Sequence, residues 1–302
     1  MPQEMPQETL PTPPEDPRAV PESQCFGGAF VRGYRRVRQV ASGARADIFL
    51  AERVATHSLV ALKVVRDEHE SRDERTSAPD SFLRFLQEYE IAQRIRHPGI
   101  VQLFDLGVSD EHAWLVMEYF PRGDLRRRMK APVAPRWAVR VAAAIARALD
   151  ALHAEGVVHR DLKPGNVMLR EDGTIALIDF GMSKDVARSH DLSERGLIFG
   201  TPHYMSPEQG HAEPTDARSD LYSLGVILYE MVTGGKPYRA DSPMAVIYKH
   251  RKEPVPQLAE GLERLQPLLE RLLAKRPEER FPSALAAAEA LERQLGRFVQ
   301  RP

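Results

Sequence analysis

In 302 residues there is one cysteine, Cys25. A single thiol cannot close an internal disulfide, so the fold must rest on its core, and the setting it fits is a reducing one. Charge of neither sign is in excess: 42 Lys and Arg against 43 Asp and Glu leave a formal net charge of −1. No strong basic field advertises nucleic acid or an anionic membrane. Long apolar runs are missing as well. The most apolar stretch, LYSLGVILYEMV over 221–232, contains Glu230 and falls short of the ~20 residues a bilayer span needs. The N-terminus is acidic and proline-rich rather than basic and then apolar, so no signal peptide is read there. Together these absences predict a cytoplasmic protein with no membrane segment and no nucleic-acid partner.

Glycine is scarce in one telling place. ASGARADIFLA, 41–51, lies between the strand-like runs YRRVRQV and DIFLAERV, where a phosphate-covering loop would use glycines. Only Gly43 is there. Taken alone, the stretch is a working nucleotide site, a degraded one or an ordinary hairpin.

A hydrophobic content of 42% with 28% charged residues suits a soluble globular chain. Residues 1–25 are dense in Pro, Glu and Gln and cannot bury enough apolar surface to order themselves, so a disordered tail is expected over 1–32. From Tyr34 to Glu118 the pattern is mostly short strands rich in β-branched and aromatic residues. One helix interrupts them over 79–97, where Phe82, Phe85, Leu86, Tyr89 and Ile95 recur at three-to-four spacing. The charge run 66–80 reads as a solvated loop. After Gly123 the pattern turns helical: 135–156 stopped by Gly156, 216–234, 262–275 and 283–298. A strand-rich first third and a helix-rich remainder predict an α+β chain in two lobes.

Four short motifs follow in order: VALK at 60–63, HRDLKPGN at 159–166, DFG at 179–181 and SPE at 206–208. With these the chain resembles the eukaryotic-like, Hanks-type serine/threonine protein kinases of bacteria, from about residue 34 to about residue 296. The resemblance implies the bilobal protein kinase fold over 33–297. A β-rich N-lobe with one key helix would occupy about 33–118 and a helical C-lobe about 121–297.

It also implies roles. Phosphoryl transfer needs charge neutralisation and alignment more than covalent help. Lys63 would contact the α- and β-phosphates and pair with Glu88 of the helix, with Glu90 as the nearby alternative. Asp161 would orient the attacking hydroxyl, Lys163 would touch the γ-phosphate, and Asn166 and Asp179 would hold the metal ions. Thr201 would help to place Asp161 and Lys163. Ala41 and Gly43 belong to the lid over the phosphates. Ile48 and Ala61 would roof the adenine, Met168 would floor it, and Met117 would be the gatekeeper. The backbone of Glu118 and Phe120 would face its edge. Arg160 would pair with a phosphate on the activation loop, for which Ser193 and then Ser189 are the candidate sites. Glu208 paired with Arg280, and Asp220 on the catalytic-loop backbone, are expected fold supports. His159, Phe180, Leu103 and Ala92 would stack as an internal apolar column, which makes His159 structural.

In this alignment the first and third lid glycines are Ala41 and Ala46. An alanine forced into the left-handed region costs ~1–2 kcal/mol. If all of it came out of nucleotide binding, affinity would fall roughly five- to thirty-fold. No catalytic carboxylate or metal ligand is missing, so the lid reads as functional and slightly stiffened.

The function so implied is transfer of the ATP γ-phosphate to Ser or Thr hydroxyls of proteins, autophosphorylation included. ATP would be used with Mg2+, with Mn2+ as a substitute. The partners would be protein substrates and a regulatory protein or second copy. A pseudokinase that binds nucleotide or a partner is the alternative, and a small-molecule kinase a third. The chain is then a soluble kinase controlled by partners, or one piece of a longer receptor.

Overall fold

The computed structural model describes residues 25–26, 29–43, 46–66, 89–90, 93–108, 112–180 and 202–299. They fall into two compact units, one of residues up to 67 with 106–116, the other of 68–105 with 117 onward.

The first unit is built on strands. β1 (Cys25–Phe26) pairs antiparallel with β2 (Ala29–Phe30). β3 (Tyr34–Ser42), β4 (Ala46–Arg53), β5 (Leu59–Arg66), β6 (Leu103–Val108) and β7 (His112–Glu118) form one sheet in the order β3-β4-β5-β7-β6. Side chains alternate across a strand. Phe49, Ala51, Val60, Leu62 and Val64 bury one face of β4 and β5. On the other, half-buried face Ile48 lies opposite Lys63, and Leu50 opposite Ala61. Gly107 has no substitute: a Cβ there would fall 2.1 Å from the Trp114 ring.

Of the tail expected over 1–32, residues 1–24, 27 and 28 lie outside the described residues, and the others are held in part. Phe26 is fully buried, and its ring meets Phe49 edge-on with centroids 5.5 Å apart. Val31 is buried too. A large aromatic side chain with an apolar sheet face to cover has a strong reason to be buried there.

The first lobe was expected to hold everything from 33 to 118. The described residues from 93 to 105 instead group with the helical unit. The backbone explains it: Val101 N–H donates to the Leu177 carbonyl at 3.0 Å, and Leu177 N–H to the Gly99 carbonyl at 2.8 Å.

The helices of the second unit are α1 (Leu125–Arg128), α2 (Pro135–Ala154), α3 (Pro207–Gly210), α4 (Ala217–Thr233), α5 (Pro243–Lys252), α6 (Gln266–Leu272) and α7 (Ala284–Val299). α2 starts on Pro135, whose missing N–H costs nothing in a first turn. It ends before Gly156, at φ 71°. Its buried residues, Ala138, Val141, Ala142, Ile145, Leu149 and Leu152 among them, recur every three to four positions. They pack on α4 and α7. α4 is capped by Asp216, which accepts from Arg218 N–H at 2.8 Å, and stopped by Gly234 in the left-handed region. The helix expected over 262–275 is divided. A 3-10 turn at Glu263–Leu265 precedes α6, because Pro267 cannot donate and so sits in a first turn. Of the helix expected over 79–97, Tyr89, Glu90, Gln93 and Arg94 are helical, Ile95, Arg96 and His97 are not, and 79–88, 91 and 92 lie outside the described residues.

Candidate active site

Residues 159–166 form a loop that bends back on itself before β8 (Val167–Leu169). Asp220, fully buried at the start of α4, organises it. Its Oδ2 accepts from His159 N–H at 2.8 Å and its Oδ1 from Arg160 N–H at 2.8 Å. A third bond comes from the His153 ring, Nε2 to Oδ2 at 2.8 Å. The loop needs this hold because Arg160 takes φ 63°, a left-handed value that costs a side-chain-bearing residue about 1–2 kcal/mol. The Arg160 carbonyl is fixed as well, accepting from Gln209 Nε2 at 2.8 Å. Gln209 uses its other amide atom on Ser206, whose N–H donates to Oε1 at 3.1 Å.

Downstream of that hold, three predicted residues come together. Lys163 Nζ lies 2.6 Å from Asp161 Oδ2. Asn166 Nδ2 donates to the Asp161 carbonyl at 2.8 Å and to its Oδ2 at 3.2 Å. A carboxylate held by an ammonium and an amide is aimed as well as charged. β8 then pairs antiparallel with β9 (Ile175–Leu177) through a turn at Gly173. That hairpin returns the chain to its start: Ile178 N–H donates to the Asn166 carbonyl at 3.0 Å. Asp179 therefore follows directly beside Asn166, with φ 56°. The hairpin thus brings the backbone of Asp179 close to that of Asn166. The Asn166 amide nitrogen is spent on Asp161, which leaves its Oδ1 for a cation.

His159 is fully buried, and neither ring nitrogen has a partner among the described residues. Such a ring packs and does not relay protons. Phe180 is buried and Leu103 packs against the same core. Ala92 lies outside the described side chains.

The adenine-side residues of the second unit sit around β7 and β8. Glu118 N–H is taken by the Gln102 carbonyl at 2.9 Å, leaving the Glu118 carbonyl for another donor. Its carboxylate grips Arg170 at 2.5 and 3.0 Å. The Arg170 guanidinium also lies 5.7 Å from the Phe120 ring centroid and donates to the Pro98 and Ile175 carbonyls. Met117 and Met168 are partly buried against the core.

In the first unit Lys63 lies on β5, opposite Ile48 and two residues from Ala61 on the same face. Ala41 pairs with Ile48 and Ser42 with Asp47. Gly43 N–H donates to the Ala46 carbonyl at 3.0 Å, closing the hairpin. Asp47 is buried and accepts from Ser42 Oγ at 2.7 Å and Gln39 Nε2 at 3.1 Å.

Glu208 and Arg280 form a buried two-pronged pair, with Nη1 to Oε1 at 2.7 Å and Nη2 to Oε2 at 2.8 Å. Burial alone would raise the Glu208 carboxyl. The Arg280 bonds and charge, with Ser219 Oγ at 2.7 Å, outweigh it and leave the group below the usual carboxylate range.

Glu88, Thr201, Ser189 and Ser193 lie outside the described residues. Glu90 is exposed and 3.9 Å from Arg94 one turn on. Sequence reasoning missed Arg170, Gln209, Asp47 and His153. Their only sequence signal is a position next to a motif.

A model of the protein kinase domain matches residues 34–294. The chain belongs to the protein kinase family. This kinase is 36% identical to the serine/threonine-protein kinase PknB of Mycobacterium leprae over 252 residues, covering 80% of this chain and 40% of that one. Its identity to Pkn1 of Myxococcus xanthus is 34%, over 88% of this chain and 39% of the relative. With PknL of Mycobacterium tuberculosis it is 33%, over 84% and 63%. The kinase thus spans about 40% of the length of its PknB relatives. Among the described residues no helix is long and apolar enough to cross a membrane.

Proposed function

We propose that this chain is a serine/threonine protein kinase that moves the γ-phosphate of ATP to Ser or Thr hydroxyls of proteins, itself included. The observation that carries it is the Asp161 carboxylate held by Lys163 and Asn166, with Asp179 brought beside Asn166 by the β8–β9 hairpin. The Asp161 carboxylate orients the attacking hydroxyl and takes its proton as the hydroxyl oxygen bonds the γ-phosphorus and the bond from that phosphorus to the bridging oxygen breaks, ADP leaving with the electron pair. Lys163 stands on Oδ2 of that carboxylate and follows the transferring phosphoryl group. Lys63 neutralises the inner phosphates, and Asp47 ties the two strands of the lid hairpin together. Arg170 stiffens the Glu118–Phe120 backbone that reads the adenine edge.

Asn166 and Asp179 fit a hard divalent cation, since both offer oxygen and such a cation draws its other ligands from phosphate and water. Bound there, Mg2+, or Mn2+ in its place, supplies charge neutralisation of the phosphates. A cytoplasmic site of action and control by a regulatory partner or a second copy belong to the same reading. So does a loop phosphate at Ser193 or Ser189, taken up by Arg160.

The test is intact-protein mass after incubation with Mg-ATP, beside Asp161→Asn. The wild type should gain phosphate, on serine or threonine by amino-acid analysis. Asp161→Asn should gain less than a hundredth as much while nucleotide still raises its melting temperature. Equal gain in both proteins would overturn the role of Asp161.

A further inference from the structure

Gly165 lies in the catalytic loop between Lys163 and Asn166. It has a neighbour from elsewhere in the chain: a Cβ built on it would lie 3.1 Å from Arg126 Cζ, 3.2 Å from Nε and 3.3 Å from Nη2. The guanidinium of Arg126 therefore occupies the space a side chain at 165 would take. It is held there by Asp124, with Nη2 at 2.7 Å and Nε at 3.2 Å from Oδ2. Asp124 also caps α1 by accepting from Arg127 N–H. The arginine is anchored at its tip and still 69% exposed in its side chain.

A second basic group faces Tyr204. Tyr204, just before the SPE motif, is raised by burial and by its bond to Glu230, and the charge of Arg126 works against that rise. The Arg126 charge is thus felt at Tyr204, while its guanidinium contacts Gly165. Lys236 Nζ lies 5.5 Å from the centroid of the same Tyr204 ring. Arg127, Arg128 and Lys130 continue the exposed positive surface. Among the described residues, Asp124 is occupied by Arg126 and Glu230 by Tyr204 Oη at 2.6 Å.

Distance decides what this surface meets. Gly165 is one residue, about 3.8 Å, from Asn166, which bonds Asp161. A peptide that lays a hydroxyl on Asp161 carries its residues two or three places away past Arg126, at ~3.3 Å per extended residue.

We propose that Arg126, supported by Lys236, makes this kinase select substrates with acidic residues within about three positions of the phosphorylated Ser or Thr. This deepens the transferase reading above and rests on it. Each exposed charge pair is worth at most about fivefold in rate, more at low salt than at high. Part of that selectivity is repulsion of basic peptides.

The experiment uses the full chain, Mg-ATP and a serine peptide set, neutral except for one Asp or one Arg moved through the flanking positions. For the wild type, kcat/KM should favour the best Asp peptide over its Arg counterpart by about fivefold to twentyfold, and added salt should shrink the ratio. Arg126→Ala should bring the ratio near one, Arg126→Glu should invert it, and Lys236→Glu should lower it in part. A ratio near one in the wild type overturns the inference, as does a preference that survives Arg126→Glu. Transfer to no peptide by a chain that still phosphorylates itself also overturns it and leaves the transferase standing. No transfer of any kind sinks the transferase reading and this one with it.

Discussion

Glu208 and Arg280 are 4% and 2% exposed, and every prong of their contact is used. Arg280 also donates to the Ala274 and Arg218 carbonyls and covers the Tyr222 ring at 4.9 Å. A charge so placed tolerates burial only with its counter-ion. Glu208→Ala should therefore cost about 3–5 kcal/mol, read from urea unfolding. The carboxyl is depressed in the fold, so its contribution is full above the ordinary value of 4.5 and fades as pH falls through the folded value. The gap between wild type and variant should narrow in acid; a constant gap would mean the ion pair is not its source. The pair was legible because SPE and the arginine of KRPEERF sit in motifs. Gln209 and His153 were not, since no motif names their bonds to the Arg160 carbonyl and to Asp220.

At the scale of elements, the β3–β4 hairpin has lost lid glycines and gained a clasp. Asp47 ties the two strands through Ser42 and Gln39 behind the turn at Gly43. Asp47→Ala should raise the KM for ATP about three- to tenfold, the worth of roughly one ordinary hydrogen bond, and leave kcat near its original value. Asp47→Asn keeps an acceptor and should behave nearly as wild type. Steady-state kinetics at fixed peptide checks both, and an unchanged KM in Asp47→Ala would mean the clasp does not bear on nucleotide. The sequence reveals the glycine losses but not the clasp, because a buried Asp between Ala46 and Ile48 reads as a strand residue facing water. Helix ends were easier. Gly156 and Gly234 take φ near 71° and 73°, where other residues are strained, and mark their stops in the letters themselves. The split at Pro267 was equally present in the letters, yet apolar spacing ran straight across it.

For the molecule as a whole, two buried groups make the fold sensitive to acid. His250 is 1% exposed, bonded to Tyr222 Oη at 2.8 Å and close to Lys275, whose Nζ donates to the His250 carbonyl. Burial first and the Lys275 charge second push His250 down to about 3. The unfolded chain takes up a proton near 6.5 that the fold refuses, so stability falls as pH drops from 6.5 towards 3. Glu208 adds to the same slope below 4.5. Urea midpoints should decline from pH 7 to 5, and His250→Gln should flatten that decline. An equally steep slope in the variant would place the acid sensitivity elsewhere.

Phe26 under the first sheet has a practical consequence. The proline-rich segment reads as something to discard when a shorter or tagged version is prepared. A junction or protease cut placed before residue 25 leaves the Phe26–Phe49 contact whole. One placed after Phe30 strips the cover from Phe49 and from the apolar face around it, and turns an inner surface into a sticky one.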